Sequence, residues 1–420
     1  MATVTRDYDV IIVGARVAGT GAAIVLARQG RKVLLVDKAA FPADTLSTHI
    51  VLGAGAAVLK RLGVLETLER EGGVRYSRSR TIGPGFDYWA ELHRDGDDNR
   101  GLCLGRLKMD AAMLDAARSA GRVYVREQFR FTDLIIEDGT VAGIRGEDSA
   151  GSREFRAPLT IGADGMRSTF ARIASERLGA FQRTDVPCAR AYYYAYYEGV
   201  PRSRFGDEIV TEFESHPGFG GLLCRCEDDR TVAAIAFDAE EMRSFRTDLA
   251  TNFARHVRDS FAIGHILEGT PISGKIYSSG LLLSTYRVPV CDGALLLGDA
   301  GLHVDPLFGQ GHSFALISAE IMGELAREWF GPQNGAAVSA DTLAGFTRRR
   351  DEALMPHYQA SLKASVTLGF DAVVLFAHRV ANREQWAADE MMRQTQMTAA
   401  PGSFPSFRFA RQIALQRRAA

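Results

Sequence analysis

One stretch near the amino end constrains this chain more than any other. Val10-Ile11-Ile12-Val13 is an unbroken apolar run, as in a strand buried on both faces of a parallel sheet. Gly14-Ala15-Arg16-Val17-Ala18-Gly19 follows as a turn, then a small-residue helix to Arg28 that Gly30 ends. Lys32-Val33-Leu34-Leu35-Val36 is the next buried strand, closed by Asp37 and Lys38. This order is the layout of a dinucleotide fingerprint. Gly14 permits the tight turn, and Gly19 lets helix and strand pack closely. The helix start offers free N–H groups and partial positive charge to a pyrophosphate. Asp37 stands about 20 residues downstream, where an acid accepts from ribose hydroxyls.

The middle glycine of the pattern is replaced by Arg16. Two readings stand. A long cation there reaches over the phosphates and adds charge-assisted bonds, or the site has drifted from its use.

The rest of the chain is ordinary enough to exclude several classes. Its 420 residues, 46% hydrophobic and 24% charged, provide core for two or three domains. A net charge of −1 gives no electrostatic argument for nucleic acid or an anionic membrane. No apolar run approaches the length of a membrane span, Asp371 interrupts the longest candidate at 368–377, and residues 1–7 are too polar for a signal peptide. A cytoplasmic enzyme without stable membrane insertion is expected. Cys224-x-Cys226 lacks zinc or redox spacing, so the five cysteines read as reduced structural thiols. The nine histidines show no metal spacing.

Element patterns divide the chain into alternating pieces. Residues 1–76, 101–186 and 287–340 read as three parts of one dinucleotide-binding α/β domain. Residues 77–100 and 187–286 read as strands of an inserted, mostly antiparallel substrate sheet, and 341–420 as a helical region. Residues 50–59 read as an apolar helix capped by Ser47 or Thr48. Phe131 opens a hairpin around Asp138-Gly139, and Arg106 opens an apolar-striped helix. Arg348 to Arg350 read as a solvated helix face. In 188–197, Arg190, Tyr192, Tyr194 and Tyr196 face one way and Ala191, Tyr193, Ala195 and Tyr197 the other.

Three motifs now stand in one order: Gly14-x-Arg16-x-x-Gly19 with Asp37; Gly162-Ala163-Asp164-Gly165-x-Arg167-Ser168; and Gly298-Asp299-Ala300 with Pro306-x-x-Gly309-x-Gly311. The set resembles the FAD-dependent monooxygenases of the para-hydroxybenzoate hydroxylase fold (group A flavoprotein monooxygenases). The resemblance implies a Rossmann-like FAD-binding domain with an inserted β-sheet substrate domain. It implies FAD contacts at Gly14, Ala15, Arg16, Ala18, Gly19, Asp37, Lys38, Thr48, His49, Arg106, Phe131, Asp164, Gly165, Asp299, Pro306, Gly309, Gly311, His312 and Ser313. The helix start at Gly311, His312 and Ser313 can stabilise negative charge on a reduced flavin.

The implied reaction uses NAD(P)H and O2 to hydroxylate or epoxidise a small organic molecule through a flavin C4a-hydroperoxide. The electrons come from the nicotinamide directly or through a separate flavin reductase. The tyrosine-rich insert suggests an aromatic or polycyclic substrate facing Tyr192, Tyr194 and Tyr196, although packing alone also explains such tyrosines. Tyr194 and His49 are the candidates for proton transfer. No metal is required. Halogenases of this fold carry Trp-x-Trp-x-Ile-Pro, and no tryptophan lies between Phe213 and Cys226. Reductases of the geranylgeranyl type share the motif order and remain a second reading. A non-catalytic flavin-binding protein is a third.

Overall fold

Val10–Val13 lies inside a six-stranded sheet ordered Val123–Arg126, Val33–Val36, Val10–Val13, Leu159–Gly162, Ala294–Leu296, Val290–Cys291. All neighbours pair in parallel except the last two strands. The computed structural model describes residues 8–402 apart from 46, 48, 95–96, 206–209, 331–335 and 367–371. Both faces of the sheet are covered, which is why the first strand has no polar residue. Val10 and Ile12 join a core beneath helices Val17–Arg28, Arg106–Ser119 and Gly311–Trp329. Ile11 and Val13 join the opposite core, with Phe129, Leu134 and Phe170. Each such fully buried side chain contributes about 1.5–3 kcal/mol.

Register brings the three motifs together. Val13 lies opposite Gly162, and Gly162 opposite Leu296. The turns that follow these strands therefore emerge side by side at the carboxyl end of the sheet, where open α/β sheets bind their ligands.

A second sheet of seven strands runs Ile272–Ser278, Arg190–Tyr197, Thr231–Asp238, Phe219–Arg225, Val210–His216, Arg78–Gly83, Phe86–Glu91. It is antiparallel except where Val210–His216 meets Arg78–Gly83. Tyr193, Tyr197 and Phe237 pack from one face against Phe253 of helix Leu249–Asp259. The opposite face carries Tyr194 and Tyr196 into a core shared with Leu302 and Phe314, outside this sheet. Helices Ala340–Ser365, Ala372–Ala381 and Gln385–Thr395 complete the described chain. Among the described residues no helix is long and apolar enough to cross a membrane.

Two sequence expectations are corrected. Ile50–Val51 is a strand, not a helix start, because it pairs with Leu102 and Cys103. The helix begins at Gly53 with Leu52 at the N-cap position, so Ser47 does not cap it, and Thr48 lies outside the described residues. Arg350 is not on a solvated face. It is 1% exposed, with its guanidinium 5.0 Å from the Tyr286 ring centre and donating to the Arg287 carbonyl.

Candidate active site

The fingerprint turn is built around bare backbone. Gly14 has φ +110°, and a Cβ there would lie 2.3 Å from the Ala163 carbonyl oxygen. A Cβ on Gly19 would lie 1.8 Å from the Gly14 carbonyl oxygen. Neither obstacle is a side chain that can swing aside. Asp37 Oδ2 accepts from the Ala15 N–H at 2.8 Å and Oδ1 from the Ala39 N–H at 2.8 Å, which fixes the acid beside the turn. No side chain caps the helix that starts at Val17.

Arg16 occupies this mouth in an ordered way. Its guanidinium pairs with Asp110 and lies over the Phe41 ring, 5.6 Å from its centre. Arg106 holds the same carboxylate through bonds of 3.1, 3.0 and 2.9 Å. Asp110 is fully buried, one helical turn after Arg106. Two guanidiniums on one carboxylate leave one net positive charge beside an uncapped helix start. That field suits a diphosphate.

The third motif closes the other side. Gly298 has φ +56°, and a Cβ on it would come 2.9 Å from the Ala18 Cβ, so this turn rests directly on the fingerprint helix. The loop continues through Pro306–Phe308 to Gly309, which is left-handed at φ +65°. Helix Gly311–Trp329 then begins without a side-chain cap. The His312 Nδ1 lies 3.0 Å from the Ile50 carbonyl, an obligate acceptor, so Nδ1 carries the proton. Its Nε2 is left as an acceptor, 3.5 Å from the Ser47 hydroxyl. Burial, reinforced by the Arg106 charge, pushes the His312 pKa down to about 3, so the ring is neutral at physiological pH. Ser313 Oγ is buried with no hydrogen-bond partner.

Facing this loop is an aromatic wall. Tyr192 donates to Asp305, the residue before Pro306. Tyr194 stacks on Tyr277 with centroids 4.7 Å apart and meets His49 edge-on at 5.6 Å. Tyr196 donates to Nε2 of His49, whose Nδ1 donates to the Ser47 carbonyl at 3.1 Å. The Arg230 guanidinium lies 4.5 Å from the Tyr196 ring centre. Burial raises the Tyr192, Tyr194 and Tyr196 phenols well above their usual range. They stay protonated at neutral pH and act as hydrogen-bond donors, not as bases.

Residues 7–318 match the family model described as FAD binding domain. The chain belongs to this family. As an FAD-dependent oxidoreductase, it has the fold of the group A flavoprotein monooxygenases. The digeranylgeranylglycerophospholipid reductase 2 of Methanococcoides burtonii is 26% identical over 332 residues, covering 76% of this chain and 74% of that protein. The conditioned medium factor receptor 1 of Dictyostelium discoideum is 24% identical over 327 residues, with 75% of this chain matched to 62% of that protein. Among solved structures, the flavin-dependent brominase Bmp2 superposes with TM-score 0.77 at 17% identity, over 98% of this chain and 99% of that one. PqsL, a probable FAD-dependent monooxygenase from Pseudomonas aeruginosa, gives TM-score 0.67 at 18% identity, over 92% and 99%. At these identities the structural likeness shows the fold.

The remaining candidates in this FAD-binding protein sit at varied distances from the mouth. Asp164 adjoins Gly14 through its backbone, but its carboxylate accepts from Ser168 and from the Phe170 N–H at 3.0 Å, tying down the start of helix Thr169–Leu178. Gly165 is left-handed at φ +82° with open space around it. Lys38 is exposed beside Asp37. The Phe131 ring packs on Phe170 at 5.8 Å. The Asp299 carboxylate lies against Gly311. Asp110, Asp305 and Tyr277 were missed. Asp110 was detectable, since an acid four residues after an arginine expected to meet the flavin shares its helix face. Nothing in the local sequence pointed to Tyr277.

Proposed function

We propose that the protein is an FAD-dependent monooxygenase that takes electrons from NAD(P)H and one oxygen atom from O2 to oxygenate a planar aromatic or polycyclic substrate. The observation that carries this reading is the wall of Tyr192, Tyr194, Tyr196, Tyr277 and His49 facing the 305–313 loop. Stacked and edge-on rings complement a flat aromatic face. The Tyr194 phenol, held protonated and with its hydrogen given neither to Asp305 nor to His49, offers a hydrogen bond to a carbonyl or phenolate oxygen of such a substrate.

FAD, when bound, stores the two electrons and activates oxygen. The chain's own residues hold it and prepare the substrate. Gly14, Ala15, Ala18 and Gly19 bring backbone to the pyrophosphate, with Arg16 and Arg106 supplying positive charge. Asp37 and Asp299 receive hydroxyl donors of the ribose and the ribityl chain. Pro306 and Gly309 bring backbone alongside the ring system. The Gly311–Ser313 N–H groups would offer a positive field to the ring system, to which neutral His312 adds no charge. His49 is the one group on the wall with a ring nitrogen open to proton exchange through a phenol, so it holds the substrate proton through Tyr196.

The test begins with the purified protein under anaerobic conditions. Addition of NADH or NADPH bleaches the oxidised-flavin band, and aromatic substrates then consume O2 in step with a product heavier by one oxygen. A protein that cannot be loaded with FAD refutes the reading.

The reductase relatives support a second reading, hydrogenation of a substrate double bond. It predicts a product heavier by two hydrogens formed without O2.

A further inference from the structure

Cys103 meets the sequence-distant pair Cys224 and Cys226 in the core that also holds Tyr194 and Tyr196. Cys103 ends the short strand Gly101–Cys103, which leads directly to Arg106. Cys224 lies in Phe219–Arg225 of the substrate sheet, and Cys226 follows that strand. The Cys103 sulfur is 3.2 Å from the Cys224 sulfur and 3.2 Å from the Cys226 sulfur. All three sulfurs lie within 4.8 Å of one another, and none of the residues is more than 2% exposed. The spacing Cys224-x-Cys226 is uninformative only while the third sulfur, 121 residues from Cys224, is unknown.

Among the described residues no fourth histidine, cysteine or carboxylate joins the three sulfurs. The Tyr76 hydroxyl is committed to the Val51 carbonyl at 3.4 Å and to Gln396 at 3.2 Å. Both His49 nitrogens are committed to Ser47 and Tyr196. The three cysteines belong to one buried apolar core with Ile50, Leu52 and Val232, Ile50 pairing with Cys103 and Val232 with Cys224 across their strands. Burial pushes the Cys103 and Cys226 thiols up.

We propose that Cys103, Cys224 and Cys226 form a closed three-sulfur site for a soft, thiophilic cation of low coordination number, Cu(I) being the physiological ion of that class. Structural zinc takes four ligands, and this site offers three in a dry setting, while soft sulfur donors select Cu(I). Loading exchanges S–H protons for the ion, Cu(I) plus three thiols giving a tris-thiolate and up to three released protons. The ion joins strand Gly101–Cys103 to the substrate sheet. There the Gly105 N–H already donates to Glu227 at 2.7 Å, one residue before Arg106. The site is thus a clasp between the cofactor half and the substrate half.

The experiment is an anaerobic competition of the FAD-loaded, reduced protein against bicinchoninate-bound Cu(I). One copper per chain is expected to leave the chelator, with X-ray absorption showing three sulfur neighbours and no nitrogen or oxygen. Cys103→Ser, Cys224→Ser and Cys226→Ser each lose this copper, while Cys188→Ser and Cys291→Ser keep it. Retained flavin absorbance verifies folding of each variant, and the wild-type titration decides even where a variant does not fold. Failure to draw copper from the chelator overturns the proposal. So does copper bound through other residues, or a Cys103 disulfide with Cys224 or Cys226 in the protein as purified.

Discussion

Tyr196 donates its phenolic hydrogen to Nε2 of His49, and the other His49 nitrogen is held by the Ser47 carbonyl at 3.1 Å. The ring is therefore fixed in one tautomer, with its acceptor nitrogen turned to the aromatic wall. General acid–base groups contribute about 10²–10⁴-fold to rate. His49→Ala should lower kcat by about 100-fold on that scale. Tyr196→Phe should lower it less, since it removes the relay but leaves the acceptor. Oxygen consumption coupled to product formation reads both, alongside bound FAD per chain. If flavin content falls in proportion to activity, His49 binds the cofactor and does not handle protons.

Asp110 serves Arg16 and Arg106 at once, and the two arginines are predicted to behave differently from their shared partner. Removing the carboxylate in Asp110→Ala strands two cations, one of them only 8% exposed. Breaking a buried pair in this way costs about 3–5 kcal/mol. Arg16→Ala leaves Asp110 paired with Arg106, so stability should hardly change. It removes one charge-assisted contact to the pyrophosphate, worth about 1.5–3 kcal/mol, and FAD affinity should drop by at least about tenfold. Thermal melts and FAD titration of the apoprotein separate the two effects. Unchanged FAD affinity in Arg16→Ala would show that this arginine serves the loop at Ala43 and Asp44 instead.

How far the sequence reached follows from the range of each signal. The fingerprint was legible because its strand, turn and helix are contiguous, and because Gly14 and Gly19 answer to backbone contacts within one βαβ unit and its neighbouring strand. The tyrosine wall was legible as alternation, because a strand has period two and Tyr192, Tyr194 and Tyr196 necessarily share a face. What covers that face was not legible. Asp305 and Tyr277 come from distant segments whose own composition says nothing. Ile50–Val51 was misread as helix because a short apolar run fits either element, and its strand partners lie about fifty residues on, at Leu102 and Cys103. The meeting of Cys103 with Cys224 and Cys226 depends on the packing of two sheets, which no local pattern encodes.

The arginine triplet is the sharpest local case. Arg348 is exposed, and Arg349 forms a surface pair with Glu324 at 2.6 Å. Arg350 is enclosed, paired with Asp351 at 2.7 Å and lying over Tyr286. Arg348→Ala and Arg349→Ala should each change stability by less than about 1 kcal/mol. Arg350→Ala should cost about 3 kcal/mol or more, because Asp351 keeps only the Tyr286 hydroxyl as a partner and the Arg287 carbonyl loses its donor. Urea denaturation of the three variants is the measurement. Equal effects would mean that helix propensity, not burial, governs this segment.

Acid sensitivity provides the last prediction. Burial lowers the pKa of His312 to about 3, of His357 to about 4 and of His378 to about 4, with Arg106 adding to the shift of His312. Each native value lies below the ordinary histidine value of about 6.5. Above that value neither the native nor the unfolded chain holds the proton, and stability is undiminished. As pH falls below it, the unfolded chain takes up protons that the native chain refuses, so stability drops until the native values are reached. Between about pH 6.5 and 5 each histidine contributes a slope of about one proton, and Glu212, whose pKa burial raises to about 7, offsets about one of these because the native chain holds its proton there. His378→Asn keeps an acceptor for the Tyr88 hydroxyl, which lies 3.0 Å from Nδ1. It should flatten the slope by about one proton, and His357→Gln should do the same. Denaturant midpoints across this window in wild type and both variants measure it. A slope unaltered by either substitution would show that these two rings take up protons without unfolding.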